Sequence, residues 1–338
     1  MLDKLTLFIS DYSLLVLWGA LIFHLIIPIS PQFHPMSFWH KFALILAEKV
    51  NTSRPYQQRL LSGSLAWALM IIPVIIVYIA AVPLIWNIPL FNLGLLLLSL
   101  EWRGVEKLCK DTIHAINKED KSKAKETLKH WVNRDVEPLS LLGLGKASSE
   151  TIILAYARTV IGVLFWYGIA GGIGAFIYRL SLELARAWSP SRDSFRPFGI
   201  PALRIQYILD FLPLKLFTLL CFIGKNIRHS FQQLQLQKKN WANKNNVGLL
   251  IIIGKKFELS LGGPVIYQGK KINRAKLGGK IAPSAIHLAQ IHHFFKLENS
   301  NLAHYSKLNN GHIKTRFITF FQQHHAVSHR GQDVNLYN

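Results

Sequence analysis

The stretch SLAWALMIIPVIIVYIAAVPLIW, from Ser64 to Trp86, runs without one charged side chain. At about 1.5 Å of rise per residue, a helix of this length reaches across the roughly 30 Å hydrocarbon core of a bilayer. Its prolines, Pro73 and Pro83, are tolerated there because neighbouring groups satisfy the carbonyls they free. Composition decides whether such a run spans a membrane or hides in a soluble core. Of the 338 residues 50% are hydrophobic, yet the formal net charge is +21. The mean hydropathy is still positive, at +0.23. High charge together with high hydropathy is what basic loops flanking apolar spans produce. A soluble nucleic-acid binder is also basic, but its lysines and arginines are not parted by uncharged runs of bilayer length. The expected partner is therefore the lipid bilayer and not nucleic acid.

Further apolar runs follow the same logic. Leu14 to Ile29 ends at Pro28 and Pro31, and the preceding MLDKLTLFISDYSLL carries an early acid and no small-x-small cleavage site, so it reads as a retained first helix. LFNLGLLLLSL, after the turn at Asn87 and Pro89, stops at Glu101. It either crosses or begins a helix that enters water. Glu101 to Lys146 holds ten Lys or Arg and eight acids, which predicts a soluble helical insert with Leu108, Ile113, Ile116, Leu128 and Trp131 on its apolar face. Thr151 to Leu184 is the longest apolar tract, interrupted only by Arg158, Arg179 and Glu183. Its Gly168, Gly171, Gly172 and Gly174 let helices approach closely, in either a hairpin or one long tilted helix. Pro190, Pro197 and Pro201 mark a break before the last span, Ile205 to Gly224.

The expected fold is an all-α polytopic membrane protein with about 4–6 transmembrane helices. Residues 1–100 form the first helices, 101–148 the soluble insert, 149–224 the later helices, 225–279 a basic, partly irregular ligand-loop region and 280–338 a His/Lys-rich tail. Lys and Arg crowd the Pro31 to Ser62 loop, the insert and the tail after Lys225. The positive-inside rule asks that all three face the cytoplasm. Five crossings with the N-terminus outside satisfy it, if Leu90 to Leu100 spans and Thr151 to Leu184 crosses once.

Other features carry less chemistry. Cys109 and Cys221 are too few for a disulfide framework or a thiolate metal site, and read as core cysteines. Trp39, Trp86, Trp166 and Trp188 lie near ends of apolar runs, as interfacial anchors do. His325 and His329 are spaced as a helical metal pair, but no acid or cysteine completes the set, so a polar surface is the plainer account. LGGPVIYQGKKINRAKLGG, from Leu261 to Gly279, is dense in Gly and Lys. It reads either as a turn between the strands FELSL and VIYQG or as a surface for an anionic ligand.

Taken in order, several segments resemble one family. HPMSFWHKFALILAEKVN begins at His34, VNRDVEPLSLLGLGKASSE spans Val132 to Glu150, and LFWYGIAGGIGAFIYR spans Leu164 to Arg179. FRPFGIPALRIQYILDFLPLKL spans Phe195 to Leu216, and the Leu261 to Gly279 stretch closes the series. The order resembles the membrane-bound adenosylcobinamide-phosphate synthases of cobalamin biosynthesis, the CobD/CbiB family. His34 and Pro35 match its early His-Pro, and Glu48 its helical Glu. Val132, Arg134 and Asp135 keep the skeleton of its V-G-R-D-T segment, and Gly174, Ala175, Tyr178 and Arg179 match its Gly-rich run. Phe198, Gly199, Arg204, Pro213 and Leu216 match the next motif, and Leu261 to Gly269 matches its final L-G-G-P-x-x-Y-x-G.

The resemblance implies a multi-pass protein of the bacterial inner membrane that forms an amide between adenosylcobyric acid and aminopropanol or its phosphate. It implies ATP and Mg2+ as cofactors, a corrinoid substrate, and other late cobalamin-pathway proteins as partners. The catalytic carboxylates it points to are Asp135, Glu150 and Asp210, a reduced set for a metal. The substrate- and phosphate-binding residues are Arg134, Arg179, Arg204, Lys215, Gly262, Gly263 and Tyr267. Where the family carries further acids this chain has Leu154, Arg158, Gln206 and Tyr207, and Ala155 stands where the family has an Asn. Glu150 therefore has two readings, metal ligand or ion-pair partner of Arg158 or Arg179. LDFLPLKL, from Leu209 to Leu216, looks like the degenerate AmpE branch linked to signalling, which implies an alternative role as a non-catalytic membrane regulator or scaffold. That branch is not expected to keep the LGGP loop.

Overall fold

The computed structural model describes residues 35–52, 55–221 and 244–296, with Val16, Gly19 and Ala20 as isolated positions. The chain divides into two compact units, residues 1–292 and 293–338, and of the second only residues 293–296 are described. The first expected span, most of the tail and the His325/His329 pair lie outside the described residues.

Helix α1, Pro35–Val50, opens on a proline, whose missing N–H costs nothing in a first turn. Helix α2, Tyr56–Ala81, carries Pro73 in its interior and closes in a 3₁₀ turn at Val82–Leu84 that contains Pro83. Helix α3, Ile88–Ser99, is capped by Asn87, whose side chain accepts the Leu90 N–H at 3.0 Å. The insert follows as α4, Trp102–Asn117, and α5, Lys121–Lys129. Val105, Leu108, Cys109, Thr112 and Ile116 are buried along one face of α4, and Leu128 is buried on α5. Then come α6, Leu141–Tyr156, a π-helical segment at Ala157–Gly162, and α7, Val163–Ala187. Helices α8, Ile200–Cys221, and α9, Lys244–Lys256, pack against each other.

Among the described residues three helical stretches are long and apolar enough to cross a membrane: Tyr56–Leu84, Ile88–Asn117 and Leu141–Ala187. Helix α8 is not among them, because Arg204, Asp210 and Lys215 interrupt it. On α2, Leu61, Leu65, Leu69, Ile72, Ile76 and Ile79 are all at least half exposed. They recur every three or four residues, so they form one stripe. Such a stripe would be an aggregation hazard in water, and it is the surface a helix presents to lipid.

The second and third stretches are not single rods. Leu100 is extended (φ −73°, ψ 133°), which breaks Ile88–Asn117 between α3 and the charged α4. Helix α3 alone is about 18 Å long, short of a bilayer core. The third stretch folds back at Ala170 (φ −131°, ψ 19°) and Gly171 (φ 65°, ψ −157°). Trp166 stacks on Tyr178 with ring centroids 6.5 Å apart, and a Cβ on Gly162 would lie 2.3 Å from the Tyr178 hydroxyl. In a straight helix residues 162 and 178 would be about 24 Å apart. Of the two readings left open, Thr151 to Leu184 is therefore the helical hairpin, and the single crossing that the five-crossing arrangement assumed is corrected to two antiparallel arms. The tip is held by the Gly172 N–H, which donates to Asn92 Oδ1 at 3.1 Å.

The Gly171 backbone occupies a region almost closed to residues with a Cβ. A Gly171→Ala variant is expected to lose about 1–3 kcal/mol of stability, read as a lower Tm in detergent. An unchanged Tm would mean that the turn relaxes without cost.

The hairpin brings the described parts of the basic segments to one end of the bundle. Asn51 Nδ2 and Arg59 Nη2 donate to the Ser194 carbonyl at 2.8 and 2.6 Å, and the Gly269 N–H donates to Asp135 at 2.8 Å. Trp86 and the Gly171 tip lie at the other end, where α3 begins. One-sided positive charge is what the positive-inside rule asks for, reached here by a hairpin in place of a single crossing.

The core between α1, α2, α7 and α8 centres on Trp188 and Phe198, which meet edge to face at 5.2 Å. Trp188 is fully buried and donates to the Ala43 carbonyl at 2.8 Å. Trp39 and Trp166 donate to the carbonyls of Leu180 and Leu209. Of the four expected interfacial tryptophans only Trp86 is fully exposed, because the other runs end in helix contacts. The two cysteines are buried, as expected.

Beyond α9 lie two short ribbons. Strand β1, Ser260–Gly262, pairs antiparallel with β4, Lys276–Gly278, and β2, Val265–Tyr267, with β3, Lys270–Ile272. FELSL and VIYQG thus do not pair with each other, and Gly262–Pro264 links the two ribbons. A final helix, α10, spans Ala285–Lys296.

Candidate functional site

A cleft of about 700 Å³ opens where the insert, the α6–α7 hairpin, α9 and the ribbons meet. Six cations line it: Lys129, Arg134, Arg158, Arg186, Arg192 and Arg274. His40, Thr159, Asn246 and Tyr267 add polar groups, and among the described residues Glu150 is its one lining carboxylate. A second hollow of about 620 Å³, between α1 and α2, is lined by Leu65, Leu69 and Ile72 of the lipid-facing stripe. It offers little chemistry.

Glu150 organises the cleft wall. Its Oε1 accepts the Gly262 N–H at 2.7 Å, and its Oε2 meets Arg134 at 3.3 Å and Arg274 at 3.4 Å. The side chain is only 6% exposed, so burial is compensated by two guanidinium groups and one amide. The expected partners, Arg158 and Arg179, are corrected: both are engaged by other acids. Arg134 also donates to the Ala147 carbonyl at 3.1 Å, Arg274 to that of Gly263 at 3.1 Å.

The π-helical segment places Arg158. A wider turn leaves carbonyls free, and the Glu101 N–H donates to that of Thr159 at 3.4 Å. Arg158 Nε meets Asp210 Oδ2 at 2.9 Å, and its Nη2 donates to Asn246 Oδ1 at 3.0 Å. Asp210 Oδ1 accepts from the Tyr178 hydroxyl at 2.9 Å and from Gln206 at 2.7 Å. Behind the cleft, Glu183 accepts from Arg179 at 2.9 Å and Arg186 at 3.0 Å, and meets His40 at 3.3 Å. Arg179 also pairs with Glu101. Such buried charges in an apolar tract are costly unless paired or functional, and these are paired.

The ribbon is clasped from two sides. The Asp135 N–H donates to the Ile266 carbonyl at 2.9 Å, and Lys270 pairs with Asp193 at 2.9 Å. The hydrogen bond from Lys270 holds the Asp193 carboxyl below its usual range, so this clasp stays charged throughout the neutral and mildly acidic range. Arg192 donates to the carbonyls of Arg186 and Ala187, lies over the Phe195 ring, and has a buried Nε with no partner. Burial pulls its pKa below the ordinary arginine value.

Of the residues expected from sequence, Arg134, Glu150 and Tyr267 line the cleft. Asp135, Asp210, Gly262 and Gly263 stand behind its walls and hold them. The Gly262 and Gly263 N–H groups are bonded to Glu150 and to the Ala275 carbonyl. Arg204 and Lys215 lie outside, exposed on α8, with the Lys215 ammonium 4.1 Å from the Phe211 ring centre. Sequence reasoning passed over Arg186, Arg192, Arg274 and His40, and took Arg158 for a partner of Glu150 and not for a binding residue. The charges isolated in the apolar tract, Arg158 and Glu183, were the available signal; nothing local marked Arg192.

A divalent cation finds a poor donor set here. Among the described residues no three of His, Cys, Asp and Glu come together, and Asp135, Glu150 and Asp210 are engaged separately. Phosphate oxygens fit better, because planar guanidinium groups match them in charge and geometry.

The family model described as CobD/Cbib protein matches residues 17–297. The cobalamin biosynthesis protein CobD of Stutzerimonas stutzeri is 26% identical over 275 residues, covering 80% of this chain and 89% of the relative. That of Chromobacterium violaceum is 25% identical, covering 73% and 81%. The probable CobD of Pyrococcus abyssi is 27% identical, covering 61% and 70%. No solved structure matches significantly. The match takes in every described element that builds the cleft, and the chain belongs to the CobD/Cbib family.

Proposed function

We propose that this chain is an adenosylcobinamide-phosphate synthase, forming the amide between adenosylcobyric acid and aminopropanol or its phosphate in the bacterial inner membrane. One observation carries the reading: segments 132–135, Glu150 and the ribbon that begins at Leu261, far apart in sequence, converge on one cation-lined cleft. The basic end of the bundle faces the cytoplasm, where the phosphorylated substrates are.

A carboxylate is a poor acyl donor. ATP supplies the phosphoryl group that carries one carboxylate oxygen away as phosphate, while the amine nitrogen takes its place on the acyl carbon and gives up a proton. The chain's own residues bind and orient. Arg134 and Arg274, held apart by Glu150, and Arg158, held by Asp210, receive phosphate oxygens and offset the charge that develops on them. The cleft suits a nucleotide or an aminopropanol phosphate, and a whole corrinoid is too large for it. The corrinoid therefore presents only its propionate arm.

A second reading, a non-catalytic AmpE-like regulator, is favoured by the dispersal of the carboxylates among ion pairs. Complementation separates the two. A bacterium lacking its own synthase, supplied with cobyric acid, is expected to grow when this chain is expressed in its membrane. Failure to grow, with the protein folded and inserted, would favour the regulator.

A further inference from the structure

We infer that the cleft binds polyphosphate without a protein-held divalent cation, arginines taking over the charge neutralisation that carboxylate-bound Mg2+ usually shares. This deepens the proposed reading and rests on it for the identity of the ligand. Among the described residues six cations line the cleft, one carboxylate lines it with them, and two more, Glu183 and Asp210, meet Arg186 and Arg158 from behind. Six against three leaves an excess of three positive charges. Arg192 has no carboxylate within ion-pair distance among the described residues, and its buried Nε has no partner. A cationic excess in a partly buried cleft calls for an anion of comparable charge. A triphosphate chain supplies it; a single phosphate supplies less.

The three acids paired with the cleft arginines are not available to a metal, and Asp135, which accepts the Gly269 N–H with one oxygen, belongs to no group of three potential ligands among the described residues. Both Glu150 oxygens are engaged, one by an amide N–H and one by two guanidinium groups. Both Asp210 oxygens are engaged, by Tyr178, Gln206 and Arg158. Glu183 serves two arginines and His40. Mg2+ demands near-ideal octahedral oxygen geometry, so ligation would strip charge-assisted bonds from buried cations before replacing them. Guanidinium groups already in place need no such rearrangement.

The test is calorimetric titration of the purified full chain in detergent with inorganic tripolyphosphate, once in EDTA and once in excess Mg2+. Binding in EDTA is expected to be as tight as in Mg2+ or tighter, because Mg2+ masks the ligand charge that the arginines read. Arg192→Gln is expected to weaken it by roughly tenfold or more. Arg274→Gln, which leaves the Glu150–Arg134 pair in place, checks the opposite wall in the same way. Binding that appears only with Mg2+, or that tightens by about tenfold or more on adding it, would overturn the inference. Metal-free binding without any amide product would instead sink the proposed reaction and leave this inference standing, and Mg2+-dependent binding with product would do the reverse.

Discussion

Replacing Asp210 by alanine is expected to destabilise the protein by about 3–5 kcal/mol, the usual cost of stranding one partner of a buried ion pair. Asp210 is 1% exposed and accepts from three side chains on three segments: Arg158 of the π segment, Tyr178 of the returning arm and Gln206 one turn away on α8. Its removal takes the acceptor from the Arg158 Nε, the Tyr178 hydroxyl and the Gln206 amide between the hairpin and α8, and leaves Arg158 with Asn246 as its side-chain partner among the described residues. Thermal unfolding in detergent reads the loss as a fall in Tm of roughly 10 °C. A paired change, Arg158→Leu with Asp210→Leu, is expected to recover much of it, since a buried pair is often replaceable by apolar packing. That double variant should nevertheless be defective in function, because Arg158 lines the cleft. A single variant as stable as wild type would mean that the network is hydrated and contributes little.

Glu150→Ala is the second large effect. The change removes the carboxylate that Arg134 and Arg274 share and leaves the Gly262 N–H without its acceptor. Like charges then face each other in a half-closed cleft, and β1 keeps only the 3.4 Å bond from Lys146 to Ser260 as a hydrogen bond to α6 among the described residues. A stability loss of about 3–5 kcal/mol is expected, together with a fall in turnover of about 100-fold or more from misplaced cations. Glu150→Gln separates the two: it keeps an acceptor for Gly262 and so most of the stability, while the arginines lose their counter-charge. Glu150 is thus a positioning residue, and a variant with normal turnover would remove it from that role.

The membrane character was legible because the energetic signal is local. Ser64 to Trp86 has no charge to satisfy, and no neighbour is needed to interpret it. The amphipathic insert was legible for the same reason, since Leu108 and Ile116 recur at helical spacing and are buried. The hairpin was not decided by the sequence, because Gly168 to Gly174 serves a turn and a close packing face equally well; only the backbone at Gly171 distinguishes them. Ribbon pairing escaped for a similar reason. Three-residue strands carry too short an alternation to choose partners, and β1 found β4 across the β2–β3 ribbon.

The site was legible by its motifs and not by its geometry. Glu150 and Arg134 stood out through the family order, and they do meet. That Glu150 takes Arg274 while Arg158 takes Asp210 depends on the fold-back at Gly171 and on the π turn, neither of which a local pattern encodes. Arg204 and Lys215 shared the same motif as Asp210 but sit on the exposed side of α8, since a helix sends neighbours in sequence to different faces. Arg192 lies in a Pro-rich loop and had no periodicity to mark it.

The most direct measurement is turnover by the purified chain, given adenosylcobyric acid, aminopropanol phosphate, ATP and Mg2+ and followed by mass spectrometry for the amide. The account predicts product from the wild type and from Lys121→Ala, an exposed change on the insert away from the cleft, and none above background from Arg134→Ala. Product that survives Arg134→Ala, or a folded wild type that makes none, would contradict it.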